Sequence, residues 1–310
     1  MNGLRNRLHG VWLPLVTPLR DDALDQASLR RLVQHYAVAG PIDGFVLGAT
    51  SGEGLSLSMG ELELLVSVVN DELANAQSAL SVCLGLAGAS TASMQNILDE
   101  TAAWPIDGYL ISSPYYLGPS QRGLLQHFTA LADYASWPIV LYNIPYRAGV
   151  GLSNDTLLRL AEHPNIVGLK DCCADRAQTR ELLRRRPAGF RVLTGEDAQY
   201  FDALDDGADG AILLSAHVET ERFAAVARQL KHGDRAAALA SWDEIRELTR
   251  LLFVEPSPAP AKYWLARAGL IASAEVRSPI VEVSAELARE LDLEIARRTP
   301  LRDPVLVNAG

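Results

Sequence analysis

The sequence predicts an α/β protein, a (β/α)8 TIM barrel followed by a C-terminal helical extension. Three observations predict it. Short apolar runs recur eight times in the first 216 residues, each followed by a stretch of helical period. The runs are continuously hydrophobic rather than alternating, as strands of a parallel sheet covered on both faces are. Eight such units in about 230 residues match the size of a (β/α)8 barrel. An open doubly wound sheet is the competing arrangement, but no G-x-G-x-x-G follows the first run.

The first strand is read at 11–16, Val-Trp-Leu-Pro-Leu-Val. Arginines precede it in the manner of a signal peptide, yet Pro14 and Pro18 interrupt the segment and no small-residue cleavage site follows. Helical period over 26–39 leads to the second strand at 44–47, which Gly48 closes, and period over 59–76 leads to the third at 80–86. The stretch 91–103 precedes the fourth strand, 108–111, closed by Ser112-Ser113-Pro114. Helices at 121–135, 154–162 and 176–185 then alternate with strands at 138–142, 166–169 and 191–193. A helix at 198–204, a last strand at 211–214 and a helix at 219–230 complete the ring. Residues 1–232 are thus expected to form the barrel with its active site. Residues 233–310 form the extension, with helical pattern at 235–252, 259–270 and 285–298 around a proline-rich break at 254–260. No long flexible linker precedes it, so it should pack on the barrel.

At 310 residues and 48% hydrophobic, the chain can bury about three quarters of its unfolded surface. A net charge of −10 repels nucleic acid and anionic membranes, so neither is expected as a partner and small molecules are. No apolar run approaches the roughly 18 residues that span a bilayer. Cys83, Cys172 and Cys173 are too few and too badly spaced for a disulfide framework or a zinc site, which fits a reducing compartment. The expectation is a soluble, unprocessed, cytoplasmic protein.

Only three lysines stand among 28 basic residues, and Lys170 ends the core run Ile166-Val167-Gly168-Leu169-Lys170. A chain that supplies surface charge with arginine has reason to keep lysine where a group must lose its proton. An amine with the reference pKa near 10.4 is neutral about once in 2500 at pH 7, so a working nucleophile needs about 4 kcal/mol of depression. Burial can supply that. From this residue alone, a lysine snorkelling from a strand end is an equal reading.

In such barrels chemistry gathers where strands end and βα loops begin. The second strand ends in Gly48-Ala49-Thr50-Ser51-Gly52-Glu53-Gly54, whose backbone N–H groups could cradle a carboxylate, although Gly-Ser turns also occur as plain turns. The fourth ends in Ser112-Ser113-Pro114-Tyr115-Tyr116 and the fifth in Tyr142-Asn143-Ile144-Pro145-Tyr146-Arg147-Ala148-Gly149. Each tyrosine alone reads as a packing group with a wet tip. Beside Lys170 they provide an amine, proton relays and an anion receptor, the parts of a Schiff-base enzyme acting on a keto acid. A metal would need several converging ligands, and the strand ends offer only Glu53, Asp171 and His217; neither a metal nor a cofactor is expected. Cys172 and Cys173 read as packing residues.

Over nearly its whole length the chain resembles the dihydrodipicolinate synthase / N-acetylneuraminate lyase family of pyruvate-dependent class I aldolases. Gly48–Glu53 resembles the family's G-T-T-G-E loop, Pro114-Tyr115-Tyr116 and Tyr142-Asn143-Ile144-Pro145 its P-Y-Y and Y-N-x-P motifs, and Gly168-Leu169-Lys170 its lysine strand. The resemblance implies that Lys170 forms an imine with pyruvate, whose carboxylate rests on the backbone of Thr50 and Ser51, and that the enamine attacks an aldehyde. It implies a proton relay of Tyr142, Thr50 and Tyr116, the last supplied by a neighbouring subunit of a homotetramer built from dimers. Gly195 and Ile212 are implied to border the substrate. Arg147, after Y-N-x-P-x, and the stretch Glu255–Lys262 resemble the synthase branch, where that arginine binds the carboxylate of aspartate semialdehyde in diaminopimelate and lysine biosynthesis.

Three departures stand out: Ala148 where synthases have threonine, His217 in place of the asparagine of an S-x-x-A-N motif, and Asp171-Cys172-Cys173 after the lysine. The last two could reshape the acceptor pocket. A lyase or dehydratase acting on a 2-keto sugar acid is therefore the alternative within the family, and a non-catalytic binding homologue is the alternative outside enzymes. Positions matching the family's lysine-inhibitor site are Gly54, Met59, Leu62, Ala89 and Ser93, with only Tyr115 retained, so inhibition by lysine is expected to be weak or absent.

Overall fold

The computed structural model describes residues 2–298, so the end of the expected extension, 299–310, lies outside the described residues. Eight parallel strands close the expected barrel: β1 (Gly10–Pro14), β2 (Gly44–Leu47), β3 (Ser81–Leu86), β4 (Gly108–Ser112), β5 (Ile139–Asn143), β6 (Ile166–Asp171), β7 (Arg191–Thr194) and β8 (Gly210–Ile212), with β1 paired to both β2 and β8. A two-stranded antiparallel hairpin, Leu19–Arg20 with Ala23–Leu24, stands apart. The helices are α1 (Asn2–Arg7), α2 (Gln26–Ala39), α3 (Met59–Asn75), α4 (Thr91–Thr101), α5 (Gln121–Tyr134), α6 (Pro145–Ala148), α7 (Asn154–Ala161), α8 (Arg176–Arg185), α9 (Tyr200–Asp205), α10 (Thr220–Lys231), α11 (Arg235–Leu251), α12 (Ala259–Arg267) and α13 (Ala285–Arg298).

Two cores explain the unbroken hydrophobicity of the strands. Trp12, Val46, Cys83, Leu110, Val140 and Leu193 form one inside the barrel. Their chain neighbours Leu13, Phe45, Leu84, Ile111, Leu141 and Val192 join the larger core that also holds helix residues such as Leu65 and Phe128. Alternate residues of a strand point to opposite faces, so both sets must be apolar.

Helix α1 was not anticipated, because six residues are too few for a helical period to register. Its Leu4, and Leu8 just beyond it, belong to the inner core and plug the barrel where the strands begin. Space for this plug is left at Gly168 in β6, where a Cβ would lie 2.6 Å from Leu8 Cδ2.

The pairing of β5 with β6 contains one irregularity. Ile139 pairs with Ile166 but Val140 with Gly168, so Val167 is an extra residue in β6. Such a bulge reverses the facing of everything after it. Ile166 lies in the outer core and Val167 in the inner; beyond the bulge Leu169 lies in the outer core. Lys170 consequently points inward.

After α10 the chain continues through α11, which packs on α10, while α13 packs against α11 and α12. Helix α12 reaches the end of the barrel where the strands finish, through contacts with the loop after β2 described below.

Candidate active site

Lys170 is 4% exposed, and its Nζ lies 4.3 Å from the centroid of the Tyr142 ring, its partner in the β5–β6 register. Burial is the main influence on the amine and lowers its pKa; Cys172, Asp197 and Glu196 oppose that, and Arg147 adds to it. Tyr142 is itself buried, which raises its pKa, whereas the Thr50 hydroxyl hydrogen-bonds it and favours the phenolate. One side of the lysine is formed by Gly195, following β7. A Cβ there would fall 2.4 Å from Lys170 Cε and 2.6 Å from Cys172 Sγ, so no larger residue fits without moving the amine.

Thr50–Gly52, after β2, forms a single 3-10 turn closed by Glu53 in the left-handed conformation, at φ 55° and ψ 28°. The N–H groups of Gly52 and Gly54 both bond to Ala49 O, whereas those of Thr50 and Ser51 find no backbone or side-chain acceptor among the described residues. Two adjacent free donors at the start of a turn suit an anion. Thr17 Oγ donates to Gly52 O at 2.7 Å and anchors the turn to the end of β1.

A cavity of about 900 Å3 opens over this group, with Thr50, Tyr142, Arg147, Tyr115 and Tyr116 among its lining residues. Arg147 is exposed and takes part in no ion pair among the described residues. Tyr116, on the loop after β4, is 93% exposed and left-handed at φ 72°. The sequence-derived residues therefore separate by position. Lys170, Tyr142, Thr50, Arg147 and Gly195 come together; Ser51 and Ile212 are buried behind the cavity wall, Ile212 in the inner core; Tyr116 stands at the rim, away from the amine.

Sequence reasoning missed Glu196, Asp197 and the role of Glu53. Burial raises the pKa of the Glu196 carboxyl, and Tyr146 donates to it at 3.4 Å. Asp197 is buried, which pushes its pKa up to about 6, and accepts from Ser215 N at 2.7 Å. Both follow Gly195 directly, so their signal was the carboxylate pair at the end of the seventh strand. Glu53 makes a buried ion pair with Lys262 of α12 at 2.6 Å.

The three candidate metal ligands are separately engaged. His217 Nδ1 donates to Leu214 O at 2.9 Å and its Nε2 accepts from Val16 N at 3.3 Å, so the neutral ring is a buried connector rather than a pocket residue. Asp171 accepts from Asn143, Cys173 N and Thr179, tying the loops after β5 and β6. No group of three His, Cys, Asp or Glu side chains among the described residues is placed to hold a metal ion. No helix among them is long and apolar enough to cross a membrane.

The dihydrodipicolinate synthetase family matches residues 7–297. Among curated relatives, 4-hydroxy-tetrahydrodipicolinate synthase 2 of Clostridium acetobutylicum is 41% identical over 286 residues, 92% of this chain and 99% of that protein. The 4-hydroxy-tetrahydrodipicolinate synthase of Limosilactobacillus fermentum is 39% identical over 89% of this chain and 88% of its own. Among solved structures, the dihydrodipicolinate synthase of Thermotoga maritima superposes with a TM-score of 0.89 at 28% identity, covering 93% of this chain and 98% of its own.

Proposed function

Since this chain belongs to the dihydrodipicolinate synthetase family, we propose that it is a 4-hydroxy-tetrahydrodipicolinate synthase, condensing pyruvate with aspartate semialdehyde in the route to diaminopimelate and lysine. The observation that carries the proposal is a buried lysine with a depressed pKa, set against a tyrosine ring beneath a large cavity. In this reading the neutral Lys170 amine attacks the keto carbon of pyruvate and water leaves to give an imine. Loss of a methyl proton gives an enamine, which adds to the aldehyde carbon. Tyr142 moves protons to and from these centres, and Thr50 orients its phenol. The free N–H groups of Thr50 and Ser51 hold the pyruvate carboxylate, with Gly195 and Ile212 closing the space around it, while Arg147, lacking a carboxylate of its own, receives that of the semialdehyde.

The exposed Tyr116 supports a homotetramer built from dimers, in which this residue completes the relay of a neighbouring copy. Residues 1–232 are taken as the catalytic barrel and 233–310 as its extension, in a cytoplasmic enzyme. Borohydride reduction with pyruvate, intact mass, peptide mapping and a coupled assay with aspartate semialdehyde test the proposal together. An adduct on Lys170 with turnover is expected, and the adduct should vanish in Lys170→Ala. An adduct without turnover would direct the search to 2-keto sugar acids, and no adduct would overturn the mechanism.

A further inference from the structure

The geometry points to the buried Glu53–Lys262 pair as a positioning device through which the C-terminal extension holds the Thr50–Gly52 turn in its working shape. This rests on the Schiff-base reading above. Glu53 is the residue immediately after that turn and has a left-handed backbone, which a side chain with a Cβ adopts only where its surroundings enforce it. The enforcing contacts come from more than 200 residues away. Lys262 Nζ donates to one carboxylate oxygen at 2.6 Å and Arg277 N to the other at 2.8 Å. The Arg277 guanidinium then binds Ser56 O at 3.0 Å and the Glu61 carboxylate at 2.6 Å, so the chain that follows Glu53 is held to the same segment. The Lys262 and Glu53 side chains are 0% and 4% exposed.

A buried ion pair is a weak source of stability, since apolar residues of similar volume often replace one at no loss. What such a pair does supply is direction. Two donors at fixed positions, aimed at the two oxygens of one carboxylate, leave Glu53 a single orientation. Rotation of that residue would carry with it the N–H groups of Thr50 and Ser51 and the hydroxyl that hydrogen-bonds Tyr142. A tether that merely fastened α12 to the barrel would not need charge there.

The test compares the wild-type protein, the double variant Glu53→Leu/Lys262→Met and the control Lys231→Met, which removes a lysine at the exposed end of α10. Three readouts are taken: thermal unfolding, hydrogen exchange of the peptide spanning residues 49–57, and the kinetics of pyruvate trapping and turnover. The expected result is a folded double variant with lost amide protection at residues 52–54, a raised KM for pyruvate and a kcat lower by about 10²-fold, the scale of a catalytic group displaced by about 1 Å. A folded double variant with wild-type protection and kinetics overturns the proposal. Should the double variant not fold, Glu53→Gln is decisive by the same readouts: its amide can accept from only one of the two donors, so unchanged protection and kinetics there overturn the proposal as well. A wild-type protein that traps no pyruvate refutes the Schiff-base reading alone, because the exchange measurement still decides whether the pair shapes the turn.

Discussion

Lys170 and Tyr142 are cross-strand partners in β5 and β6, and the amine sits 4.3 Å from the centre of the phenol ring. An ammonium over an aromatic face gains about 0.5–2 kcal/mol. Withdrawing it from water costs several kcal/mol, so desolvation wins and the neutral amine is favoured. Tyr142 thus covers the amine as well as facing it with a proton-transfer group. Tyr142→Phe keeps the cover and removes the hydroxyl; turnover should fall by about 10²–10⁴-fold while pyruvate still adds to Lys170. Steady-state rates alongside borohydride trapping will separate the two functions, and unchanged turnover would remove Tyr142 from the relay.

Gly195→Ala should impair the enzyme without unfolding it. The added methyl would overlap Lys170 Cε, and the flexible lysine side chain yields first, moving the amine. A drop in trapping rate on the order of 10²-fold is expected, with the melting temperature nearly unchanged.

Imine formation should accelerate with pH up to a limb set by Lys170. Below its folded-state pKa the ammonium has no lone pair to attack with; above it the amine is free. Because burial lowers that pKa, the limb should fall below the ordinary lysine value of about 10.4. A trapping rate that keeps rising to that ordinary value would contradict the burial argument.

Acid should destabilise the fold through two histidines. Burial pushes the pKa values of His217 and His127 down to about 4, against 6.5 for the free side chain. As pH falls the unfolded chain takes up these protons first, so the associated stability is complete above pH 6.5 and is lost towards pH 4. Each is worth up to about 3 kcal/mol by the conversion of one pKa step to 1.36 kcal/mol. Denaturant unfolding of His217→Asn between these limits should show a shallower pH dependence; an identical slope would exclude His217 as a source.

Lysine should inhibit weakly or not at all. Met59, Leu62 and Ile97 line the cavity on the side of α3 and α4, an apolar surface poorly suited to an α-amino acid. Half-maximal inhibition at submillimolar lysine would refute this.

Much of this architecture was legible in the chain because hydrophobic runs report burial directly. Each of the eight expected strands overlaps an observed one, and Lys170 stood out as a cation ending such a run. The last run extended to Leu214, but the strand stops at Ile212 because the chain then enters a 3-10 turn at Ser215–His217. Long-range partnerships left no local mark. Nothing near residue 262 announces that its ammonium meets Glu53, and His217, read as able to reshape the acceptor pocket, proved to join backbone groups of β1's end and the turn after β8. The single-residue excess in β6 was likewise invisible, since Val167 is as apolar as its neighbours.

That excess makes the facing of the amine a matter of counting. Were the strand to keep Val167 but run without the bulge, every later side chain would change sides, so that Lys170 would be delivered among the surrounding helices and Leu169 into the space it vacated. Deleting Val167 instead would leave Ile166 and Gly168 in regular register and the amine still facing inward. A designer who wished to transplant this nucleophile into another barrel would have to copy the strand's parity as well as its lysine. In this strand, chemical identity and geometric phase are separate inheritances, and a straightened strand with not one residue changed would abolish the second while leaving the first intact.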